Sequence, residues 1–213
     1  MIFISAGHNT GGLKPDPGAV ANGFTEAKLA VEIRDLTVKE LKKYASLKVV
    51  TDRDDERLGE YLKRIQTGSG SVVLEYHFDA ASPTATGTTV LIGDDADRLD
   101  RAFAKEIVDK TAEVLKIKNR GVKPESESHR GKLGLMREQG TVALLEVCFI
   151  TNKNDLKAFQ DNKNTLAVEL SKIVKKYEDI NYYRDLYDSW FAYKNENSDF
   201  TFEQWCERNN KKF

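Results

Sequence analysis

The sequence predicts a single three-layer α/β domain. It comprises a central mixed, mostly parallel sheet with helices on both faces, followed by a short aromatic-rich helical C-terminal extension. Three observations lead there. Short apolar runs alternate along the chain with longer segments whose apolar residues keep helical spacing. One run, Val142 to Ile150 (VALLEVCFI), is apolar almost throughout, the pattern of a strand covered on both faces. Aromatic residues gather at the end, where ten of the twenty fall within 182–213.

In chain order, Met1 to Ala6 (MIFISA) reads as a strand that stops at Gly7. Gly11, Gly12, Gly18 and Gly23, with Pro15 and Pro17, make the next stretch a loop. From Thr25 to Tyr44, Leu29, Ile33, Leu36 and Leu41 mark a helix. Leu47 to Thr51 is a second strand, and Glu56 to Thr67 a short helix with Leu58, Leu62 and Ile65 on one face. Ser71 to Phe78 (SVVLEYHF) and Thr88 to Ile92 are strands. Asp97 to Leu115 is a helix with Leu99, Phe103, Ile107 and Leu115 inward. Leu133 to Met136 reads as a short strand before the apolar run at 142–150. Leu166, Leu170, Ile173, Val174 and Tyr177 mark a helix ending near Tyr177. A division follows, with a main domain over 1–178 and an extension over 179–213. In the extension Tyr183, Tyr187 and Trp190 share a helical stripe. Thr201 with Gln204 forms a capping box for a last short helix.

The 213 residues, 40% hydrophobic and 31% charged, suffice for a real core and are unlike a disordered chain. A formal net charge of -1 leaves no global basic field for nucleic acid. The N-terminus begins as a strand, without a charged segment leading into an apolar one. The expectation is therefore synthesis in the cytoplasm without a signal peptide. No apolar run approaches the ~20 residues of a transmembrane helix. Two cysteines, Cys148 and Cys206, are too few for a disulfide framework, and Cys148 reads as a buried small hydrophobe.

Only three histidines are present. His8 directly follows the first strand and His77 lies near the end of the third, where α/β sheets place functional groups. Glu26 opens the first long helix, and Glu146 interrupts the most apolar strand. A lone carboxylate there costs several kcal/mol unless it is paired or reaches a cleft. Taken singly, each has a structural reading: an ion pair or edge position for Glu146, a satisfied polar group for each histidine. Together, two imidazoles and one carboxylate can fill three corners of a zinc tetrahedron and leave the fourth for water. A second carboxylate that is not a ligand can then move protons. Glu26 and Glu146 fit those two roles. His129, in the polar loop 124–132, is an alternative third ligand in place of Glu26.

These residues stand in motifs that resemble the zinc-dependent N-acetylmuramoyl-L-alanine amidases of the amidase 3 family. The motifs are Gly7-His8, Asp16-Pro17-Gly18-Ala19, Gly23-Phe24-Thr25-Glu26, a loosened Thr51-Asp52-Arg53, Glu75-Tyr76-His77-Phe78-Asp79-Ala80, Asn119-Arg120-Gly121-Val122-Lys123, and Leu144 to Asn152 (LLEVCFITN). The resemblance implies His8, Glu26 and His77 as Zn2+ ligands and Glu146 as catalytic acid/base. It implies peptidoglycan as substrate, cut between the lactyl group of N-acetylmuramate and L-alanine of the stem peptide. Three positions depart from the motif. Glu75 replaces a serine, Asp79 an asparagine and Cys148 a glycine. Period-two alternation puts Glu75 and Asp79 on His77's side of the strand, where they can add charge near the metal or orient His77. Arg120, Lys123, Arg130 and Lys132 are candidates for holding stem-peptide carboxylates, with a solvated basic edge as the equal alternative.

With no leader visible, the expectation is a phage endolysin that waits in the cytoplasm, reaches the wall through a holin-type partner and lyses the cell; a bacterial enzyme exported by another route, or one whose leader is missing from this chain, fits as well. Two alternatives stay open: a non-catalytic wall-binding module, and a zinc peptidase that cuts within the stem peptide.

Overall fold

The computed structural model describes residues 1–196 and 201–211, except the side chains of 187, 188, 191, 192 and 194–196. Four aromatic residues of the C-terminal end are therefore not fully covered. Phe200 and Phe213, and the side chains of Tyr187 and Phe191, lie outside the described residues.

The first apolar run forms β1 (Ile2–Ala6), with every residue buried. A two-stranded hairpin, β2 (Val20–Ala21) and β3 (Phe24–Thr25), interrupts the loop after it. Helix α1 (Glu26–Leu41) starts at once, capped by the Thr25 hydroxyl, which accepts from the Lys28 amide at 3.4 Å. Then come β4 (Val49–Thr51), α2 (Leu58–Arg64), β5 (Val72–Asp79), β6 (Thr88–Ile92), α3 (Arg98–Leu115), β7 (Asn119–Pro124), β8 (Thr141–Phe149), α4 (Lys153–Glu196) and α5 (Phe202–Arg208).

Six strands form one sheet in the order β4-β1-β5-β8-β6-β7. All neighbours run parallel except β6 and β8. The mixed sheet is flanked by helices, as the alternating pattern predicts, but its two covers differ. Leu29, Ile33, Phe103, Ile107, Leu166 and Leu170, from α1, α3 and α4, pack one face against Ile4, Leu74, Val90 and Leu145. The other face is covered by Tyr61 and Ile65, from α2 and just after it, and by Leu135, against Phe3, Val73, Val142 and Leu144. That thinner cover leaves room for a cleft on its side of the sheet.

Two expectations need correction, and one strand was not anticipated. Leu133 to Met136 is not a strand. Gly134–Arg137 is a turn of 3-10 helix, closed by the Met136 amide on Leu133 O at 3.2 Å, and it plugs Leu135 into the thin face. Asn119–Pro124, whose polar sequence with Gly121 and a terminal proline hides a strand, pairs with β6 as the sheet edge. The last long helix does not end near Tyr177. It runs on to Glu196, because 153–196 contains neither glycine nor proline and its later turns are anchored to the domain. Fully buried Asn181 donates to Ser71 O (3.0 Å), and Arg184 donates to Ser69 O (2.7 Å). Beyond these anchors Leu186 and Trp190 pack with Trp205 and Cys206 of α5, whose N-terminus carries the Thr201–Gln204 capping box. Among the described residues no helix is long and apolar enough to cross a membrane.

Candidate metal centre and catalytic cleft

Strands β1, β5 and β8 lie side by side and parallel, so their C-terminal ends share one rim of the sheet. His8 sits two residues past β1, His77 near the end of β5, and Glu146 within β8 directly across from His77. The β5–β8 register slips between His77 and Asp79, where three steps on β8 match two on β5. Such a bulge re-aims side chains at a sheet rim. Cys148 lies in it, fully buried.

Glu26 joins them from the first residue of α1, where the exposed amides of a helix N-terminus favour an anion. Its carboxylate is the hub. Oε1 lies 2.8 Å from His77 Nδ1 and accepts from the Phe78 amide at 3.2 Å. Oε2 lies 3.2 Å from His8 Nε2 and accepts from the Ala19 amide at 2.9 Å. The far nitrogen of each ring meets another carboxylate: His8 Nδ1 lies 3.0 Å from Asp16, and His77 Nε2 lies 3.2 Å from Glu75. The expected neighbourhood of Glu75 and His77 is thus present.

Two glycines let the cluster close. A Cβ on Gly7 would fall inside the His77 ring, and one on Gly18 would meet Glu26 Oε2 at 2.5 Å and His8 Cδ2 at 2.6 Å. His8 itself holds φ at +68°, a conformation that side chains other than glycine's rarely adopt and that gathers at functional sites.

The electrostatics follow from this packing. Burial works to raise the Glu26 pKa, but hydrogen bonds from His77 and His8 outweigh it and hold the carboxyl well below its usual range. Burial likewise works to lower both histidines. Glu26 and Asp16 overcome it at His8, and Glu26 and Glu75 at His77, so both rings lie above 6.5. Glu146 goes the other way. Burial pushes it up to about 7, and the charges of Glu26 and Asp79 add to that against the pull of His77. Its Oε2 is sealed from solvent and has no hydrogen-bond partner within the protein.

The donor set fits a divalent cation of zinc type. Two imidazole nitrogens and a carboxylate oxygen, from His8, Glu26 and His77, all lie within 4.8 Å of one another. A zinc tetrahedron with bonds of about 2.0–2.1 Å has edges near 3.3 Å, so small rotations would close the set. The orphaned Glu146 oxygen is a second sign that a cation belongs nearby. His129 is exposed on the cleft rim and is not part of the three-residue cluster.

The cluster opens into a cleft of about 490 Å³, walled by Leu58, Leu91, Leu133, Leu135 and Leu144 and edged by Ser128, His129, Arg130 and Lys132. Of the basic candidates, Arg130 and Lys132 line it. Arg120 lies on the edge strand, stacked over the Phe149 ring at 5.1 Å, and Lys123 sits beside it on the same strand. Both bear on the cleft through Asp79, whose pKa burial raises while their charges lower it.

Sequence reasoning singled out Asp16 only as part of a motif, although it faces His8. It passed over Ser5, whose hydroxyl donates to Glu75 Oε2 at 3.0 Å. It also passed over Arg34. That side chain, on the buried stripe of α1 with Ala30 and Ile33, donates to Asp52 (2.9 Å) and Asp54 (2.6 Å), and Asp52 in turn accepts from the Ala6 amide beneath the site.

A three-layer α/β domain with two histidines and a glutamate at the C-terminal rim of its sheet, and a second carboxylate beside them, defines the class of metal-dependent hydrolases. The N-acetylmuramoyl-L-alanine amidase (amidase 3) profile matches residues 2–176, and the chain belongs to that family. It is an amidase that hydrolyses the bond between N-acetylmuramate and L-alanine in peptidoglycan. The catalytic domain of CwlV, an amidase from Bacillus (Paenibacillus) polymyxa var. colistinus, superposes with a TM-score of 0.65 at 23% identity, over 84% of this chain and 97% of that one. The CwlD amidase from Clostridioides difficile, solved in complex with the GerS lipoprotein, gives 0.68 at 21% identity, over 84% and 98%. YqiI of Bacillus subtilis strain 168, described as an uncharacterised protein, is 27% identical over 157 residues, 72% of each chain.

Proposed function

We propose that His8, Glu26 and His77 hold Zn2+ and that Glu146 is the acid/base of the amidase reaction. The observation that carries this reading is the meeting of both histidines on one buried carboxylate, beside a second carboxylate with an unpartnered oxygen. A bound zinc supplies positive charge that acidifies water and polarises the scissile carbonyl. The protein supplies the rest. Glu146, pushed up to about 7, sits near the pH at which a group can both accept and return a proton. It takes the proton of the attacking water and delivers it to the departing amine nitrogen of L-alanine. The leucine walls line the cleft in which that exchange takes place.

Arg130 and Lys132, at the cleft rim, hold stem-peptide carboxylates, with Arg120 and Lys123 as the second pair beyond Asp79. Residues 1–178 act as the catalytic unit, and the aromatic-rich helical part of 179–213 is its extension. The protein acts on the wall as an endolysin, with a holin-type partner giving it passage.

Purified peptidoglycan digested with the zinc-loaded protein should release intact stem peptides with a free L-alanine amine, read by mass spectrometry. Glu146→Gln should keep one zinc per chain while release collapses. Fragments cut within the stem peptide would make the protein a peptidase, and binding without release a wall-binding module.

A further inference from the structure

We infer that Glu75 is a positioning residue that sets the tautomer and angle of His77 and so raises the metal affinity of this chain; the inference rests on the zinc site proposed above. Glu75 stands where the family motif carries serine, and it changes what His77 meets. One of its oxygens accepts from Ser5 Oγ at 3.0 Å, across the β1–β5 register that pairs these two residues. The other lies 3.2 Å from His77 Nε2. A carboxylate has no proton to give, so this pair forms only if Nε2 carries the hydrogen. The lone pair of a neutral His77 then sits on Nδ1, the nitrogen that faces Glu26 and His8. Gly7 closes the ring's other side, where no Cβ could fit. His77 is therefore fixed in protonation site and in orientation by Glu75, with Ser5 and Gly7 holding the pair in place.

The partner of His8 does the same less strongly. The Asp16 side chain is 57% exposed, whereas that of Glu75 is 2% exposed. A charge held away from water acts on its neighbour with less screening. Outer carboxylates of this kind typically change metal affinity 10–100-fold.

The test measures zinc affinity by competition with a chromophoric chelator, in the wild type, Glu75→Gln and Ser5→Ala. It also reads the His77 tautomer from ring ¹⁵N shifts in the zinc-loaded protein. Glu75→Gln keeps the volume of the side chain but lets its amide donate to Nε2. It should weaken zinc about 10–100-fold and shift the ¹⁵N signature. Ser5→Ala, which frees the carboxylate without removing it, should weaken zinc less. Affinities within about twofold of wild type in both variants, with His77 signals unchanged, overturn the inference but leave the zinc site standing. A wild type that binds no zinc overturns both. Loss of zinc in Glu26→Ala beside normal binding in Glu75→Gln overturns this inference alone.

Discussion

Replacing Glu146 with glutamine should stabilise the metal-free protein in a pH-dependent way. The Glu146 carboxyl is raised from 4.5 to about 7 chiefly by burial, so the fold prefers its protonated form. The stability tied to that preference is fully present below pH 4.5. It is lost as pH rises through about 7, because the unfolded chain ionises first. The interval, at ~1.36 kcal/mol per pH unit, bounds the loss at about 3.4 kcal/mol. The residue is only partly buried and faces an open cleft, which reduces the expected effect to ~1–3 kcal/mol. Glutamine imitates the protonated side chain at every pH. In urea unfolding with a chelator present, Glu146→Gln and the wild type should coincide near pH 4. The variant should pull ahead through pH 5–7 and hold a constant lead above that. Saturating zinc should narrow the lead, since a nearby cation favours the charged carboxylate. A difference that does not vary with pH would refute the reasoning.

Gly7→Ala drives a methyl group into the His77 ring. Overpacking of this kind costs ~1–3 kcal/mol, and titration should show zinc affinity falling at least about tenfold as the ring is displaced. Arg34→Met strips the buried Asp52 of its cation, and denaturant unfolding at neutral pH should show a loss of ~3–5 kcal/mol. Arg130→Ala combined with Lys132→Ala should raise KM for stem-peptide substrates several-fold while kcat holds, the mark of binding lost equally from ground and transition states. A fall in kcat of the same size would place these side chains in the chemistry instead.

The residues that proved legible in the sequence do so for local reasons. His8 and His77 are polar groups at the ends of apolar strands, and Glu146 is a charge inside one. Strand ends in a parallel sheet converge, so their proximity follows once the strands are assigned. Glu26 could be placed because a helix start after Gly23 puts its first residue at the sheet rim. What stayed hidden depends on distant partners. Arg34 reads as an ordinary exposed helix charge until Asp52, 18 residues away, is seen beneath it. Asp16 meets His8 only because the glycine-rich loop folds back, bridging Asn9 to Asp16. β7 escaped because an edge strand needs no apolar face of its own. The end of α4 was set too early because the apolar stripe fades after Tyr177. The anchors that carry the helix onward are polar, at Asn181 and Arg184.

Anomalous diffraction at the zinc edge, from crystals of the zinc-loaded protein, bears most directly on the ligand assignment. One strong peak should lie about 2.0–2.2 Å from donor atoms of His8, Glu26 and His77 together, with Glu146 close by but not bound to it. A peak held by His129, or none between these three side chains, would contradict the account.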